Sequence, residues 1–252
     1  MAPFISLGID LASQPANTAL CSLEWNEHGV QMQRLAHRLN DDALIRAANA
    51  ADSVGIDAPF GWPEAFREAI AGAAAFGWPH APGWSDGLRD SLRFRRTDLY
   101  LKGLAEKLQP LSVSSELLGV TAMRCAGLLQ ALGVTDRSGQ SGHVFEVYPS
   151  ASLRRWGLDT RGYKGKENSV REQLLTALLG KAPWLEMSVV QQLELVTSDH
   201  LLDALAASLT AGMAARHREL IEPIPERDLG HARIEGWIVL PRPDALEKIF
   251  QS

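Results

Sequence analysis

Apolar and polar side chains alternate at the start of the chain. Over residues 4–10, Ile5, Leu7 and Ile9 fall on one side of an extended segment and Ser6, Gly8 and Asp10 on the other, the period-two signature of a strand. Residues 18–25 and 30–39 read as its antiparallel partners, with Asn17 and the 26–29 stretch supplying the turns. Asn40, Asp41 and Asp42 then offer helix-capping side chains ahead of an alanine-rich segment to residue 51, and 53–57 reads as another short apolar strand. The stretch 59–87, rich in Pro, Gly and Trp, shows no regular period and is longer than ordinary connections, which are mostly under about 15 residues. Helical spacing resumes over 91–108 and 116–132, and 142–149 reads as a strand stopped by its proline. Helices are expected over 150–156, 167–179 and 189–196, the clearest over 199–216, and a last short strand over 236–240.

No Gly/Ser linker or compositional break divides the chain, so the pattern predicts one α/β domain over 1–252 with an insertion over about 59–141. Phe60-Gly61-Trp62-Pro63 recurs at 76–79, too few copies for a solenoid. With 252 residues, 46% of them hydrophobic, the chain can bury a core without disulfides or a structural metal, which excludes disordered, collagen-like and coiled-coil classes. The formal charge of -5 argues against a protein that coats nucleic acid by bulk electrostatics and confines any polyanion contact to a local patch. Cys21 and Cys125 have no metal-ligand spacing and make no disulfide framework. The N-terminus lacks a basic segment leading into a long apolar one, and the longest apolar run, 201–215, is interrupted by Asp203 and too short to span a bilayer. The expectation is a cytoplasmic protein with no membrane partner.

The most specific feature is a tripeptide that occurs twice, Gly8-Ile9-Asp10 and Gly55-Ile56-Asp57, each at the end of an apolar strand. Alternation places Gly8 with Asp10, and Gly55 with Asp57, on one face, and the two isoleucines on the other. Glycine two residues ahead of each acid lets a helix or a substrate backbone approach that face closely. If these strands are parallel neighbours, both carboxylates emerge at the C-terminal edge of the sheet, where open α/β sheets place ligands. Two acids one strand spacing apart repel, and a hard divalent cation such as Mg²⁺ or Mn²⁺ is the usual resolution. The plainer alternative, that each Asp merely starts a turn, explains one copy better than two matching ones. A third set of acids lies in Asp199-His200-Leu201-Leu202-Asp203. At about 100° per residue, Leu201, Leu202, Leu205 and Leu209 centre on one stripe, while Asp199, Asp203 and Thr210 share the face that borders it. Asp199 also suits the first turn of a helix capped by Ser198. Asp203 lies a turn further in, where helix-start chemistry explains it less well.

These residues carry a resemblance. Strand-end Gly8-Ile9-Asp10, strand-end Asp57 and a late helix with His200-x-x-Asp203-Ala-Leu-Ala resemble the RNase H-like superfamily, in particular its Holliday junction resolvase branch. More closely, Gly-Ile-Asp-Leu-Ala at 8–12, Gly-Ile-Asp-Ala-Pro at 55–59, Arg96-Thr97-Asp98, Glu146-Val147-Tyr148-Pro149, Tyr163-Lys164-Gly165, Asp203-Ala204-Leu205-Ala206-Ala207 and Glu235-Gly236-Trp237-Ile238 are together similar to the family called domain of unknown function 429, described as predicted RNase H-fold nucleases. The resemblance spans nearly the whole chain and rests on the order of the motifs. It implies an α/β fold with an RNase H-like mixed central sheet flanked by helices, and a helical or loop insertion after the fourth strand. It also implies a divalent-metal-dependent nuclease. Asp10 would be the first-strand ligand, Asp57 the fourth-strand ligand, and Asp203, with Asp199 beside it, the late-helix ligand of one or two Mg²⁺ or Mn²⁺ ions. His200 falls about 60° from Asp203 on the helix, further from Asp10, and reads either as a substrate contact or as a solvated first-turn histidine.

Around this centre other groups have two readings each. Glu146 is a further metal ligand or base, or a partly buried acid paired with Arg96 or Lys164. The basic cluster containing Arg93, Arg95 and Arg96 contacts phosphate, as Lys164 would, or forms a solvated, salt-bridged helix face with Asp90 and Asp98. Trp62, Trp78 and Trp84 stack nucleobases, or pin a long loop. Nucleic acid is the expected partner. Two other functions remain beside the nuclease: a nucleotide-binding phosphotransferase of the actin and sugar-kinase type, and a non-catalytic binding module. Against the phosphotransferase, 11–15 lacks the Gly/Thr-rich phosphate turn of that class. The sequence leaves the oligomeric state open.

Overall fold

Seven short strands and eleven α-helices are built from these patterns among the residues that a computed structural model describes, 3–74, 84–106 and 108–250. β1 (Phe4–Asp10), β2 (Ala19–Trp25) and β3 (Val30–His37) form an antiparallel meander. The Asn40 side chain accepts the Ala43 N–H and starts α1 (Asp41–Asn49), which returns the chain to β4 (Ser53–Asp57), parallel to β1. α2 (Glu64–Ala74), α3 (Asp86–Arg93), α4 (Arg96–Lys102) and α5 (Glu116–Ala131) follow as the insertion after the fourth strand. β5 (Val144–Val147) then runs parallel to β4 and leads through α6 (Pro149–Arg155) and α7 (Asn168–Lys181) to β6 (Leu185–Glu186), parallel to β3. α8 (Val189–Thr197), α9 (Asp199–Arg216), α10 (Leu229–Glu235), β7 (Ile238–Val239) and α11 (Ala245–Lys248) complete the order. The sheet runs β6-β3-β2-β1-β4-β5-β7, an RNase H-like mixed α/β arrangement. Among the described residues no helix is long and apolar enough to cross a membrane.

Three local features differ from the sequence reading. The 59–87 stretch, expected to be irregular, contains α2, whose EAFREAIAGAA sequence is alanine-rich and carries no proline once Pro63 is passed, with its one glycine, Gly72, close to the end. The helix expected over 91–108 is two helices. It starts earlier, where Ser85 accepts the Leu88 N–H, and breaks where Phe94 and Arg95 turn extended. β6, α10 and α11 are too short for periodicity to reveal. The second Phe-Gly-Trp-Pro copy, with Trp78, lies outside the described residues; Trp62 is half-buried and Trp84 is exposed.

The chain forms two compact units. One comprises the residues up to Ala58, His143–Pro223 and Val239 onward, and the other Pro59–Gly142 with Ile224–Ile238. In the second unit the Glu235 carboxylate accepts the Glu64 N–H and the Arg96 N–H, each at 2.8 Å, so one buried acid caps the first residues of both α2 and α4.

In the first unit α9 organises the core. Every residue over 201–214 is buried, which is how a helix apolar on nearly all sides must sit. Its small residues Ala204, Ala207, Ser208 and Ala211 lie against Gly8 of β1 and Gly55 of β4. A Cβ at Gly8 would overlap the Ala204 carbonyl and the Ser208 backbone, and one at Gly55 would stand 2.5 Å from the Ala207 carbonyl. A buried polar relay fixes the approach further along β1: Trp25 Nε1 donates to Ser6 Oγ at 2.8 Å, Ser6 Oγ bonds Ser208 Oγ at 2.8 Å, and Ser208 Oγ donates to the Ser6 carbonyl at 3.1 Å. Larger side chains at the glycines would lift the helix off the sheet. Overpacking typically costs about 1–3 kcal/mol and occasionally more. Gly8→Ala, which meets backbone rather than a flexible side chain, is expected at or above the top of that range by urea denaturation. Gly127→Ala, on α5 with open space around it, is expected to be neutral or to stabilise by about 0.5–1 kcal/mol.

Candidate metal centre

The duplicated tripeptides are direct neighbours. β1 and β4 pair with Gly8 opposite Gly55, Ile9 opposite Ile56 and Asp10 opposite Asp57, so both acids leave the same edge on the glycine face. α9 docks on that face. Asp203 immediately precedes Ala204, whose carbonyl meets Gly8, and its carboxylate is thereby carried to the same edge. One oxygen from each of Asp10, Asp57 and Asp203 lies within 4.8 Å of the other two. Asp203 is 1% exposed and Asp10 8%. The sequence expected Asp203 at the margin of the apolar stripe; it is fully inside, because the helix is buried on all sides rather than on one.

Three carboxylates this close need compensation, and the chain supplies part of it. Tyr163 donates its hydroxyl to Asp203 Oδ1 at 2.7 Å, and the Lys164 ammonium lies 2.7 Å from Asp203 Oδ2. His200 Nδ1 is 2.6 Å from Asp10 Oδ2, and against an ionised carboxylate that nitrogen is the donor. Asp57 has no hydrogen bond among the described residues, and burial followed by the charges of Asp10 and Asp203 raises its carboxyl well above the usual range. Burial likewise pushes Asp203 up to about 6, against the pull of Lys164. For Lys164 burial works toward a lower value, but the charges of Asp203, Asp57 and Asp10 outweigh it and hold the ammonium above its ordinary range. The hydrogen bond to Asp10 raises His200. A half-buried carboxylate with no donor, flanked by two others, is the donor set a hard divalent cation fits, since carboxylate oxygens match its preference and its charge offsets theirs.

The remaining expected site residues fall in several places. Asp199 is in the first turn of α9 and outside the group of three, where it faces the helix N-terminus and adds to the field on His200. The helical wheel set His200 further from Asp10; because the first turn of α9 overhangs the end of β1, its ring instead reaches that carboxylate. Glu146 is buried and pairs with Ile56 in the ladder, on the isoleucine face, and is not one of the three. Lys164 is paired with Asp203. Arg95 is 2% exposed, and its guanidinium donates to Asp98 at 3.1 and 3.2 Å and to the Glu235 carbonyl at 3.2 Å within the second unit. Of its two readings, phosphate contact or a solvated pair with the neighbouring acids, the pairing with Asp98 is present, but buried rather than solvated. Arg96 has an exposed side chain in the same unit.

Two participants were not singled out from sequence. The hydroxyl of Tyr163 is one. The other is Arg171, 3% exposed in the first turn of α7, which donates from Nη1 to the carbonyls of Tyr163 at 2.9 Å and Gly165 at 2.6 Å, from Nη2 to Asn168 Oδ1 at 2.6 Å, and from Nε to the Val196 carbonyl at 2.7 Å. An arginine on the buried side of a helix beside a Tyr-Lys-Gly motif was the available signal.

Asp57 yields a pH test. A carboxyl whose folded value is raised binds its proton more tightly in the folded than in the unfolded state, so its ionisation lowers stability; the penalty is absent below about pH 4 and complete above the folded value. With a chelator present, Asp57→Asn is expected to melt higher than the parent at pH 8 by about 2–4 °C, the size of a ~1 kcal/mol effect in a chain of this length. The gain should shrink as the pH is lowered toward 4. An equal or lower melting temperature at pH 8 contradicts the electrostatic account.

Neither curated proteins nor solved structures contain a match to the chain. The family model described as protein of unknown function (DUF429) matches residues 8–228, which take in all three acids, Tyr163, Lys164 and Arg171. The chain therefore belongs to the DUF429 family.

Proposed function

We propose that the protein is a divalent-metal-dependent phosphodiesterase acting on nucleic acid, with Asp10, Asp57 and Asp203 as ligands of Mg²⁺ or Mn²⁺. The observation that carries this reading is the convergence of three carboxylates, from β1, β4 and α9, within 4.8 Å at the C-terminal edge of an RNase H-like sheet. When bound, the ion supplies Lewis-acid stabilisation of an in-line phosphoryl displacement and a more acidic water. The chain's own groups do the rest. Asp10 and Asp57 are fixed by the strand ladder, so their separation does not depend on loop conformation. His200 donates to Asp10 and orients it, the kind of outer contact on which a ligating carboxylate depends. Lys164 and His200 place positive charge where a substrate phosphate approaches the acids, which reconciles nucleic acid with a chain of net charge -5.

Purified protein is expected to cleave a member of a panel of RNA, DNA, hybrid and branched substrates with Mn²⁺ or Mg²⁺. Asp10→Asn should lower that cleavage by on the order of 10³-fold or more without lowering the melting temperature. His200→Ala, which leaves the ligands in place, should lose about 10–100-fold. Full cleavage by Asp10→Asn would remove the assignment.

A further inference from the structure

We propose that Lys164 is a resident cation that stands in for a second divalent ion, so that the carboxylate centre takes one metal ion per chain. The inference rests on the metal-binding part of the reading above and is independent of the substrate.

Three sets of observations support it. The first is the occupancy of the carboxylate oxygens. Both oxygens of Asp203 are engaged, by Tyr163 and Lys164, and Oδ2 of Asp10 is engaged by His200. Among the described residues, Asp10 Oδ1 and the two oxygens of Asp57 carry no hydrogen bond. Bonds of about 2.0–2.1 Å place the oxygens around one Mg²⁺ no more than roughly 4.2 Å apart. A cluster within 4.8 Å closes on one ion by a small movement. Two ions about 3.5–4 Å apart need ligands on both sides of the pair, and of the two further acids expected at the site Glu146 stands on the opposite face of the ladder and Asp199 lies outside the group of three.

The second is charge. Three carboxylates against the Lys164 ammonium leave two negative charges, and a cationic His200 beside Asp10 reduces them to one, so one divalent ion brings the group to between zero and one positive charge. A second ion would leave two or three positive charges beside groups that are 1% and 8% exposed, and uncompensated charge in a desolvated site is strongly unfavourable. Among the described residues, the other titratable groups acting on the centre are His200, Tyr163 and Tyr148, Asp199 through His200, and Glu146 from the opposite face of the ladder.

The third is the mounting of the lysine. Its side chain is 52% exposed and would sample many rotamers on a loose loop. Instead Arg171 bonds the carbonyl on each side of it, those of Tyr163 and Gly165, and Gly165 N–H closes a turn onto the Gly162 carbonyl. The buried guanidinium thus fixes the peptide that carries the ammonium, as a site with a built-in cation requires.

The test counts ions. Full-length protein, stripped with chelator, is titrated with Mn²⁺, and stoichiometry is read by calorimetry and by the electron paramagnetic resonance signal of free Mn²⁺. The parent and Lys164→Arg are expected to bind one ion, and Lys164→Met, which keeps the stem and removes the charge, to bind two. Lys164→Gln provides the same reading in a second background if the methionine variant does not fold. In chelator both neutral variants should melt below the parent, and saturating Mn²⁺ should raise them by more than it raises the parent. Two ions on the parent, or a single ion on every variant, overturns the proposal while leaving the phosphodiesterase reading intact. No Mn²⁺ on the parent overturns both. Cleavage is not part of the readout, so an inactive protein with the expected stoichiometry supports this inference and removes only the nuclease assignment.

Discussion

The contact of α9 with the β1–β4 ladder, backbone against glycine, is the constraint on which the rest of the structure depends. Side chains larger than hydrogen at positions 8 and 55 would separate helix and sheet, and with them the carboxylate that the helix contributes from the two that the strands contribute. The same glycines give the helix its small-residue face, since Ala204, Ala207, Ser208 and Ala211 have nothing to fill between them and the sheet. Farther down β1 the relay from Trp25 through Ser6 to Ser208 satisfies the hydroxyls that this close approach buries. Packing and chemistry are therefore one design: the distance between layers sets the distance between acids.

That proximity opposes folding. Desolvation and mutual repulsion raise Asp57 and Asp203, and the chain answers with groups drawn from a different segment, Tyr163 and Lys164, held from behind by Arg171. The compensation is incomplete because, among the described residues, Asp57 receives no donor. Structural ion pairs in this protein look different. Arg95 and Asp98 form a buried pair that the Glu235 carbonyl extends, and the Glu235 carboxylate is matched by two helix starts. A polar cluster that satisfies itself is architecture; one left short of positive charge is poised to receive it from outside.

How far the sequence revealed this depended on how local each feature is. The strands at 4–10 and 53–57 and the helix at 199–216 follow from alternation, capping and apolar spacing, and their bounds match the structure. The duplicated Gly-Ile-Asp marked both acids and the close face, since two copies in one chain already suggest one shared geometry. Burial of Asp203 was hidden, because a helical wheel assigns faces but not how many of them are covered. The reach of His200 was hidden for a related reason, as angle on a wheel says nothing of a first turn that overhangs the sheet. Asp98 could be named as a partner of the basic cluster from its place one turn on, but the burial of Arg95 and its bond to the Glu235 carbonyl far along the chain depend on a fold that charge counting does not see. Arg171 and Tyr163 depend on the shape of an irregular loop, for which side-chain order has no period.

The register of the centre also has a temporal side. Its acids come from the first strand, the fourth strand and the last long helix, and the lysine arrives between the last two, so no contiguous stretch of chain contains the arrangement. During synthesis β1 and β4 can pair while α9 is still unmade, leaving two aspartates on an uncovered sheet face with neither the helix nor its counter-charges. The three-acid geometry comes into being only with the contact of α9 with β1, some 190 residues apart in the chain. Whatever chemistry the centre performs is withheld from the nascent chain until folding of that unit is finished.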